Sequence, residues 1–179
     1  ARFRESVILV IEHSRSHSMG LIINKPVHSP SPIELAKDFG IKTIKRQPNQ
    51  YIFYGGPVAL NKVIVLHTPD WSSGSNTHEF NDEIWATNSQ DCLIACMTHG
   101  ATGPSNFLLC IGQCQWGAGQ LEAEILSRNG RLTTDAWLTT SMNANTVFGM
   151  KYRNRWKKTV NKVAQEQFQR TFSHAVQTQ

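Results

Sequence analysis

The feature that most constrains this sequence is a set of short apolar runs that lack polar alternation. "SVILVIE" at residues 6–12 and "MGLIINK" at residues 19–25 are continuous apolar segments of strand length, joined by the polar turn "HSRSHS". A strand with one face in water alternates apolar and polar side chains, whereas a strand covered on both faces does not. The two runs therefore predict β-strands in a sheet that has protein packed on both faces.

Capping residues and glycines place the other elements. Ser31 and Glu34 form a capping box with Pro32 in the first turn, which predicts a short helix that Gly40 ends. Ser89 is expected to cap a second, apolar helix, "QDCLIACMTH", which ends at a later glycine, Gly100. The remaining predictions are strands at 51–54, 62–68, 106–112 and 136–141, a more polar strand or hairpin arm at 78–88, a helix at 120–128, and an amphipathic helix after residue 151.

These elements and the size of the chain define the expected fold class. The 179 residues are 40% hydrophobic and 17% charged, which predicts one domain over residues 1–179 with a substantial core. The opening strand pair and the "GGPV" region lack helical crossovers, which argues against regular β-α-β winding. We predict an α+β fold with a mixed, largely antiparallel, curled or barrel-like sheet and helices packed outside. No apolar run approaches the ~20 residues that span a bilayer, so no membrane association is expected.

The stretch "GQCQWGAGQLEAEIL", from Gly112 to Leu126, has the order strand, glycine-rich loop, helix. A phosphate-binding loop of this kind needs a lysine and a hydroxyl after its last glycine. Here Gln120 and Leu121 follow that glycine, and acidic residues occupy the first helical turn, where they oppose a phosphate. We therefore predict that residues 112–119 form an elbow that buries Trp116 and places Gln120 and Glu122 near the "GGPV" turn.

Four cysteines lie in two C-x3-C pairs, at positions 92, 96, 110 and 114. Structural zinc sites usually use C-x2-C turns, whose geometry aims both sulfurs at one ion. The first pair falls on the predicted apolar helix, and Cys110 falls within an apolar strand. Buried free thiols behave as small hydrophobic groups, so we expect structural thiols and neither a metal nor another cofactor.

Basic residues are concentrated near the C-terminus. The net charge is +5, and residues 151–170 contribute +6. Such a segment suggests an anionic partner, and the candidate nucleic-acid contacts are Lys151, Arg153, Lys157, Lys158 and Lys162. The alternative is a solvated helix face, with a buried apolar stripe of Trp156, Val160, Val163, Ala164 and Phe168. On that alternative, nucleic-acid binding is at most weak and independent of sequence.

A second group of candidates lies at the ends of predicted strands. Such side chains could converge into one cleft for acid–base chemistry or ligand binding, or they could serve only to hydrogen-bond loop backbones. The "YGGPV" break could form a ligand wall with Asn24, or it could be a plain chain reversal. The candidate ligand-binding residues are Glu12, His13, Asn24, Gly55, Gly56, Pro57, His67, Gln120 and Glu122.

Several of these motifs resemble the AlgH/YqgE family. "GQCQWGAGQLEAEI" is similar to its G-x-x-x-W-x-x-G-Q-L-E-x-E-I signature, and "FRESVILVIEH", "MGLIINKP", "YGGPV" and "VLHT" follow the family order. Thr87, Ser89 and Asp91 match a T-x-S-x-D element, and Arg155-Trp156 matches a C-terminal R-W pair. The family usually has an additional strand upstream. Its absence here predicts an open sheet edge that could pair with another copy of the chain.

The resemblance implies a bacterial, cytoplasmic, single-domain protein, in a family associated with regulation of transcription or translation and without an assigned enzymatic activity. The leading hypothesis is therefore a non-enzymatic regulator that binds a protein partner or a small ligand. The first alternative is an enzyme or ligand-binding protein that uses the strand-end cluster. The second is direct nucleic-acid binding through residues 151–179.

Overall fold

The computed structural model describes residues 3–41, 50–72, 77–98, 103–126 and 137–176, with side chains of the last helix described to residue 170. Within these ranges the chain forms seven strands, four α-helices and one π-helical turn. The strands are β1 (Ile8–His13), β2 (His17–Ile22), β3 (Ile52–Tyr54), β4 (Val58–His67), β5 (Thr77–Glu79), β6 (Trp85–Thr87) and β7 (Phe107–Gly117). The helices are α1 (Pro32–Asp38), α2 (Gln90–Met97), α3 (Gln120–Leu126) and α4 (Tyr152–Val176), and the π-helical turn is Asn145–Gly149.

The long strand β7 organises the sheet. Its C-terminal half pairs with β2, and its N-terminal half pairs with β4 on one edge and with β3 on the other. Every pairing is antiparallel except that of β3 with β7, and the main strand order is β1-β2-β7-β4-β6-β5. The sheet curls into a barrel-like form with helices outside, which confirms the predicted α+β fold class.

Apolar clusters cover both faces of the sheet. Leu9, Leu21 and Leu66 belong to the cluster that also takes in the π-helical turn, and α1 and α2 pack on the other face through residues such as Leu35 and Leu93. A third cluster joins α3 to the end of β7. The prediction that continuous apolar strands are covered on both sides is confirmed.

Helix capping agrees with the sequence in α1 and differs in α2. Ser31 Oγ accepts the Glu34 N–H at 3.3 Å, and Glu34 Oε2 accepts the Ser31 N–H at 2.7 Å. Ser89 is the N-cap residue of α2, but its side chain makes no capping bond, and its N–H donates to Thr87 Oγ1 at 3.1 Å instead. The proposed end of this helix at Gly100 lies outside the described residues, and α2 ends at Met97.

Two further segments differ from a single regular strand. The segment 78–88 was expected to be a strand or a hairpin arm, and a polar turn in which Asn81 Oδ1 accepts two backbone N–H groups divides it between the antiparallel strands β5 and β6. The segment 136–141 was expected to be extended, but residues 137–141 are irregular and belong to no strand. Its side chains are used instead to pack against α3 and α4.

The loop predicted at residues 112–119 was also wrong in extent, because β7 continues through Gly117 and only residues 118 and 119 turn. Gly112 has φ +72°, and a Cβ there would lie 2.4 Å from Gly56 O. A Cβ on Gly55 would lie 2.2 Å from Gly112 O. Glycine is needed here because the "GGPV" turn crosses β7 at backbone contact distance.

Helix α4 docks through a charged residue, and the predicted apolar stripe is mostly exposed. Trp156 is 38% exposed and Phe168 is 65% exposed, whereas Val163 is buried. The buried side carries Arg155, whose guanidinium donates to the carbonyl oxygens of Ile23 and Val147. Burial lowers the pKa of Arg155 to about 10. These two carbonyl bonds offset the cost of burying the cation and fix the rotation of the helix.

Candidate binding site at the end of β7

Glu124 of α3 gathers hydrogen bonds at the C-terminal end of β7. The indole N–H groups of Trp116 and Trp137 donate to its Oε2 at 3.2 and 3.0 Å. The two indole rings are edge to face, with centroids 6.4 Å apart. Trp116 is 5% exposed, which confirms that it is a core residue. One carboxylate therefore orients two aromatic rings, one from β7 and one from the segment that follows α3.

The side chain of Gln120 forms hydrogen bonds on both sides of the start of α3. Gln120 Oε1 accepts the Gly117 N–H at 3.0 Å, and Gln120 Nε2 donates to Glu124 Oε1 at 3.0 Å. The amide is thus used on both sides to tie β7 to α3. These contacts support a tight turn from β7 into α3 at residues 118 and 119. They place Gln120 beside Gly117, whereas the "GGPV" turn, which was expected near Gln120 and Glu122, crosses β7 at Gly112 and Gln113.

The β1–β2 hairpin brings a second polar group to the same end of β7. His13 Nδ1 lies 2.8 Å from Ser18 Oγ, and its Nε2 lies 3.6 Å from Glu122 Oε1 on α3. Glu12 Oε1 lies 2.9 Å from the imidazole Nε2 of His17. The structure therefore brings two of the sequence candidates, His13 and Glu122, into contact, and Gln120 lies on the same helix as Glu122. Glu12 contacts His17 instead.

A cleft of about 280 Å³ opens between α3 and α4, and we call it the α3–α4 cleft. Trp137 lines it and is also bonded to Glu124, so the cleft adjoins the polar network. Its other principal lining residues are Ile125, Leu126, Leu138, Val163, Glu166 and Arg170. Thr140 Oγ1 donates to Glu166 at 2.9 Å, which holds that carboxylate on the wall of the cleft.

His67 lies at the opposite end of β7. It pairs with Phe107 at the start of the strand, whereas His17 pairs with Gly117 at its end. Ten residues of β-strand correspond to roughly 30 Å, so His67 does not share a cleft with His13. Its ring is fully buried, and its centroid lies 6.1 and 6.2 Å from those of Trp71 and Trp85.

The environment of His67 favours the neutral imidazole. Nδ1 donates to Thr68 O at 2.8 Å, while Nε2 is buried with no hydrogen-bond partner among the residues that the structure describes. Burial lowers the pKa of this histidine. Asp70, which was not among the sequence candidates, accepts from Thr68 Oγ1 at 2.6 Å and from the Ser105 N–H at 2.9 Å. It ties together the two loops beside His67.

The remaining strand-end candidates have contacts that maintain the fold. Asn24 Oδ1 accepts the Val7 N–H at 2.8 Å, and its Nδ2 donates to Glu5 O at 2.8 Å, which fixes the segment before β1. Gly55 and Gly56 make the close crossing with β7, and Pro57 directly precedes β4.

Three of the four cysteines lie on the elements that the sequence predicted, whereas Cys114, expected in the 112–119 elbow, lies within β7. All four are buried free thiols, two on α2 and two on β7. Burial raises the pKa of Cys110 and of Cys114 to about 12, which keeps both protonated and unreactive at neutral pH. Within the ranges that the structure describes, no group of three or more His, Cys, Asp or Glu side chains has an arrangement suited to a metal ion.

The candidate nucleic-acid residues of α4 differ in their surroundings. Lys151, Arg153, Lys157 and Lys158 are exposed. Lys162 is engaged, because its ammonium donates to Ser141 O at 2.5 Å and lies 3.7 Å from Glu166. Among the described helices, none is both long and apolar enough to cross a lipid bilayer.

Comparison with known proteins gives a consistent picture. A family model described as AlgH-like (DUF179) matches residues 1–167. A UPF0301 protein of Yersinia pestis is 32% identical over 166 residues, covering 90% of this chain and 83% of that protein. A UPF0301 protein of Caulobacter vibrioides is 30% identical over 162 residues, covering 90% of this chain and 79% of that one. The solution structure of AlgH from Pseudomonas aeruginosa has a TM-score of 0.66 at 32% identity, covering 87% of this chain and 77% of that chain.

Proposed function

Because this chain belongs to the AlgH-like family of bacterial proteins, we propose that it is a regulator of transcription or translation that binds a protein partner or a small ligand. It acts in the cytoplasm as one domain over residues 1–179, in which residues 151–179 are the basic C-terminal helix and tail. Its binding site is the α3–α4 cleft, whose polar lining includes Glu166 and Arg170. The sequence candidates Glu12, His13, Gln120 and Glu122 do not line this cleft, and Gln120 adjoins it through Glu124 and Trp137.

The observation that carries this proposal is the double role of Trp137. Its ring lines the cleft, and its indole N–H donates to Glu124 at 3.0 Å. Glu124 in turn holds Trp116 and Gln120. A ligand that contacts Trp137 therefore contacts a side chain whose orientation is already fixed, and such preorganisation reduces the entropy lost on binding.

The lining of the cleft indicates the chemistry of its ligand. Ile125, Leu138 and Val163 supply apolar surface, while Glu166 and Arg170 supply charges of opposite sign. Sites for small molecules typically combine mostly apolar walls with a few placed polar groups. The cleft suits a molecule or a partner side chain with an apolar body and a polar head.

The enzyme alternative depends on the pair of His13 and Glu122. Their side chains are 52% and 41% exposed, so a substrate could reach them. Binding is favoured over catalysis because the neighbouring polar groups are already engaged with one another: Ser18 with His13, His17 with Glu12, and Gln120 with Glu124. Polar side chains that hydrogen-bond to one another keep each other in a fixed orientation, which suits a binding surface. A general base, in contrast, must reach the proton that it removes from the substrate.

The test is a thermal-shift screen with metabolites that have an apolar body and an anionic or amide head. A ligand present at about 100 times its Kd should raise the melting temperature by about 5–10 °C for a chain of this size. Leu138→Glu puts a charge into the apolar wall and should abolish that rise. Leu60→Glu is the matched control, because Leu60 is 56% exposed on β4 and is not among the cleft residues.

Three results would count against the site. The rise could persist in Leu138→Glu, or it could be lost equally in Leu60→Glu. Chemical conversion of the ligand, abolished by His13→Gln, would instead support the enzyme alternative.

A further inference from the structure

The solvent-facing side of α4 carries unbalanced positive charge. Lys151, Arg153, Lys157 and Lys158 are all exposed. The sequence from 151 to 165 contains no aspartate or glutamate. Lys151, directly before the helix, and the first four turns of α4 therefore present four accessible cations with no acidic residue within residues 151–165 to neutralise them.

Aromatic rings lie among these cations. Trp156 is 38% exposed and Tyr51 is 37% exposed. Tyr51 contacts Tyr152 edge to face, with ring centroids 4.9 Å apart, and the Arg153 guanidinium lies 5.5 Å from the Tyr152 ring centroid. Tyr152 and Trp156 are four residues apart, so they are neighbours on the helix surface. We call Tyr51, Tyr152, Arg153, Trp156 and Lys157 the α4 platform.

We propose that the α4 platform, together with the exposed cations Lys151 and Lys158 elsewhere on the surface of this segment, binds single-stranded nucleic acid without sequence preference. The cations would contact phosphates, and the rings would stack on unpaired bases, which is the combination that single-strand-binding surfaces use. This goes beyond the binding function of the α3–α4 cleft, because Val163, Glu166 and Arg170 of α4 line that cleft and the platform residues do not. The exposure of Trp156, which the sequence placed in the core, is what makes stacking available.

A single strand fits this surface better than a duplex or a membrane does. The bases of a duplex are stacked on each other and cannot stack on Trp156. Helices that lie in a membrane surface present a broad apolar face to the lipid. The platform is instead bordered on α4 by the exposed amides Asn154 and Asn161. Amides and cations suit a hydrated polyanion better than an acyl layer.

The test uses the full chain and a fluorescein-labelled 15-nucleotide oligo(dT), with binding measured by anisotropy from 50 to 200 mM salt. Four phosphate contacts predict a slope of log K against log salt of about −2.8, which weakens binding about 50-fold over that range. Lys157→Gln with Lys158→Gln should reduce the slope by about 1.4. Trp156→Ala should weaken binding about tenfold with little change in slope, and Trp156→Phe should restore most of the affinity, because stacking needs a ring and no charge.

The matched control removes the same charge elsewhere. Lys37→Gln with Lys62→Gln changes exposed lysines of α1 and β4 and should leave the slope unchanged. Circular dichroism confirms that each variant is folded. The proposal is wrong if the oligonucleotide does not bind at 50 mM salt, if duplex DNA binds more tightly, or if Trp156→Ala has no effect. It is equally wrong if the control pair lowers the slope as much, or if phosphatidylserine vesicles bind and the oligonucleotide does not.

Discussion

The two ends of β7 hold polar groups in opposite circumstances. At the C-terminal end, His13 is half exposed and contacts Ser18 and Glu122. At the N-terminal end, His67 is fully buried between Trp71 and Trp85. Each histidine closes a strand with an apolar interior, and in sequence the two look equivalent.

The difference shows that a strand-end polar residue becomes a site only where a neighbouring element leaves it accessible. Around His13 the adjoining helix α3 brings Glu122 and stops short of covering the imidazole. Around His67, Asp70 ties two loops together, and the imidazole ring beside them is fully buried. We therefore expect ligand-linked behaviour at the first end, and dependence of stability on pH at the second.

The largest effect expected is the loss of Trp116, which anchors the C-terminal end. Trp116→Ala removes a buried ring and leaves a cavity, so the free energy of unfolding should fall by about 3–5 kcal/mol. Urea denaturation measures it. Trp116→Phe keeps most of the buried area and should cost clearly less. A loss below about 1 kcal/mol for the alanine variant would mean that the ring does not anchor α3 to the sheet.

Two carboxylates of α3 should differ in their contribution to stability. Glu124→Ala leaves the indole N–H groups of Trp116 and Trp137 without this acceptor, which should cost about 1.5–3 kcal/mol. Glu122→Ala removes an exposed contact with His13 at 3.6 Å, and such contacts are worth less than about 1 kcal/mol. Equal losses in parallel denaturation curves would contradict the central role assigned to Glu124.

The smallest effect expected concerns pH at the other end of β7. Burial lowers the pKa of His67, so the folded chain binds this proton less readily than the unfolded chain does. The stability that the neutral ring contributes is therefore present above the unfolded pKa of about 6.5 and declines as pH falls below it. Denaturation at pH 7.5 and 5.5 should show a smaller decrease in His67→Gln than in the native chain. His28→Gln, in an exposed turn, is the control and should keep the native decrease.

Local signals were enough to predict much of the fold. The capping box at Ser31 starts α1, and the unalternating runs around Leu9 and Leu21 are strands covered on both faces. The extent of β7 was missed because glycines at 112 and 117 usually mark a loop. Gly112 is needed within the strand because the backbone of Gly56 approaches it closely. This contact joins distant segments, and no local sequence pattern encodes it.

The site was predictable where neighbours are fixed by adjacent elements. Glu12 and His13 belong to one hairpin, and Gln120 follows the strand that pairs with that hairpin. Trp137 was missed because its role depends on folding back against α3, the helix that precedes it, and no local pattern encodes that contact. His67 was grouped with His13 because both end a predicted strand. The sequence does not reveal that these two strand ends lie at opposite ends of β7.

The face of α4 that packs on the sheet was predicted wrongly for a physical reason. An apolar stripe normally faces the core, and Trp156 and Phe168 belong to such a stripe. The carbonyl oxygens of Ile23 and Val147 instead accept from Arg155, and these bonds turn the stripe toward solvent. A buried arginine that donates to backbone carbonyls of other segments cannot be recognised from the apolar periodicity of the helix itself.

The five tryptophans allow the most direct test of the central claim, which is that the α3–α4 cleft is the binding site. Trp116 and Trp137 report on that end of β7, Trp71 and Trp85 report on the His67 end, and Trp156 reports on α4. Fluorine NMR of the chain labelled with 5-fluorotryptophan, assigned by single phenylalanine substitutions, follows all five signals during titration with a ligand that raises the melting temperature. The Trp137 signal should shift most, with a smaller change at Trp116 and none at Trp71 and Trp85. A shift confined to Trp71 and Trp85 would place the binding site at the buried histidine and contradict the account.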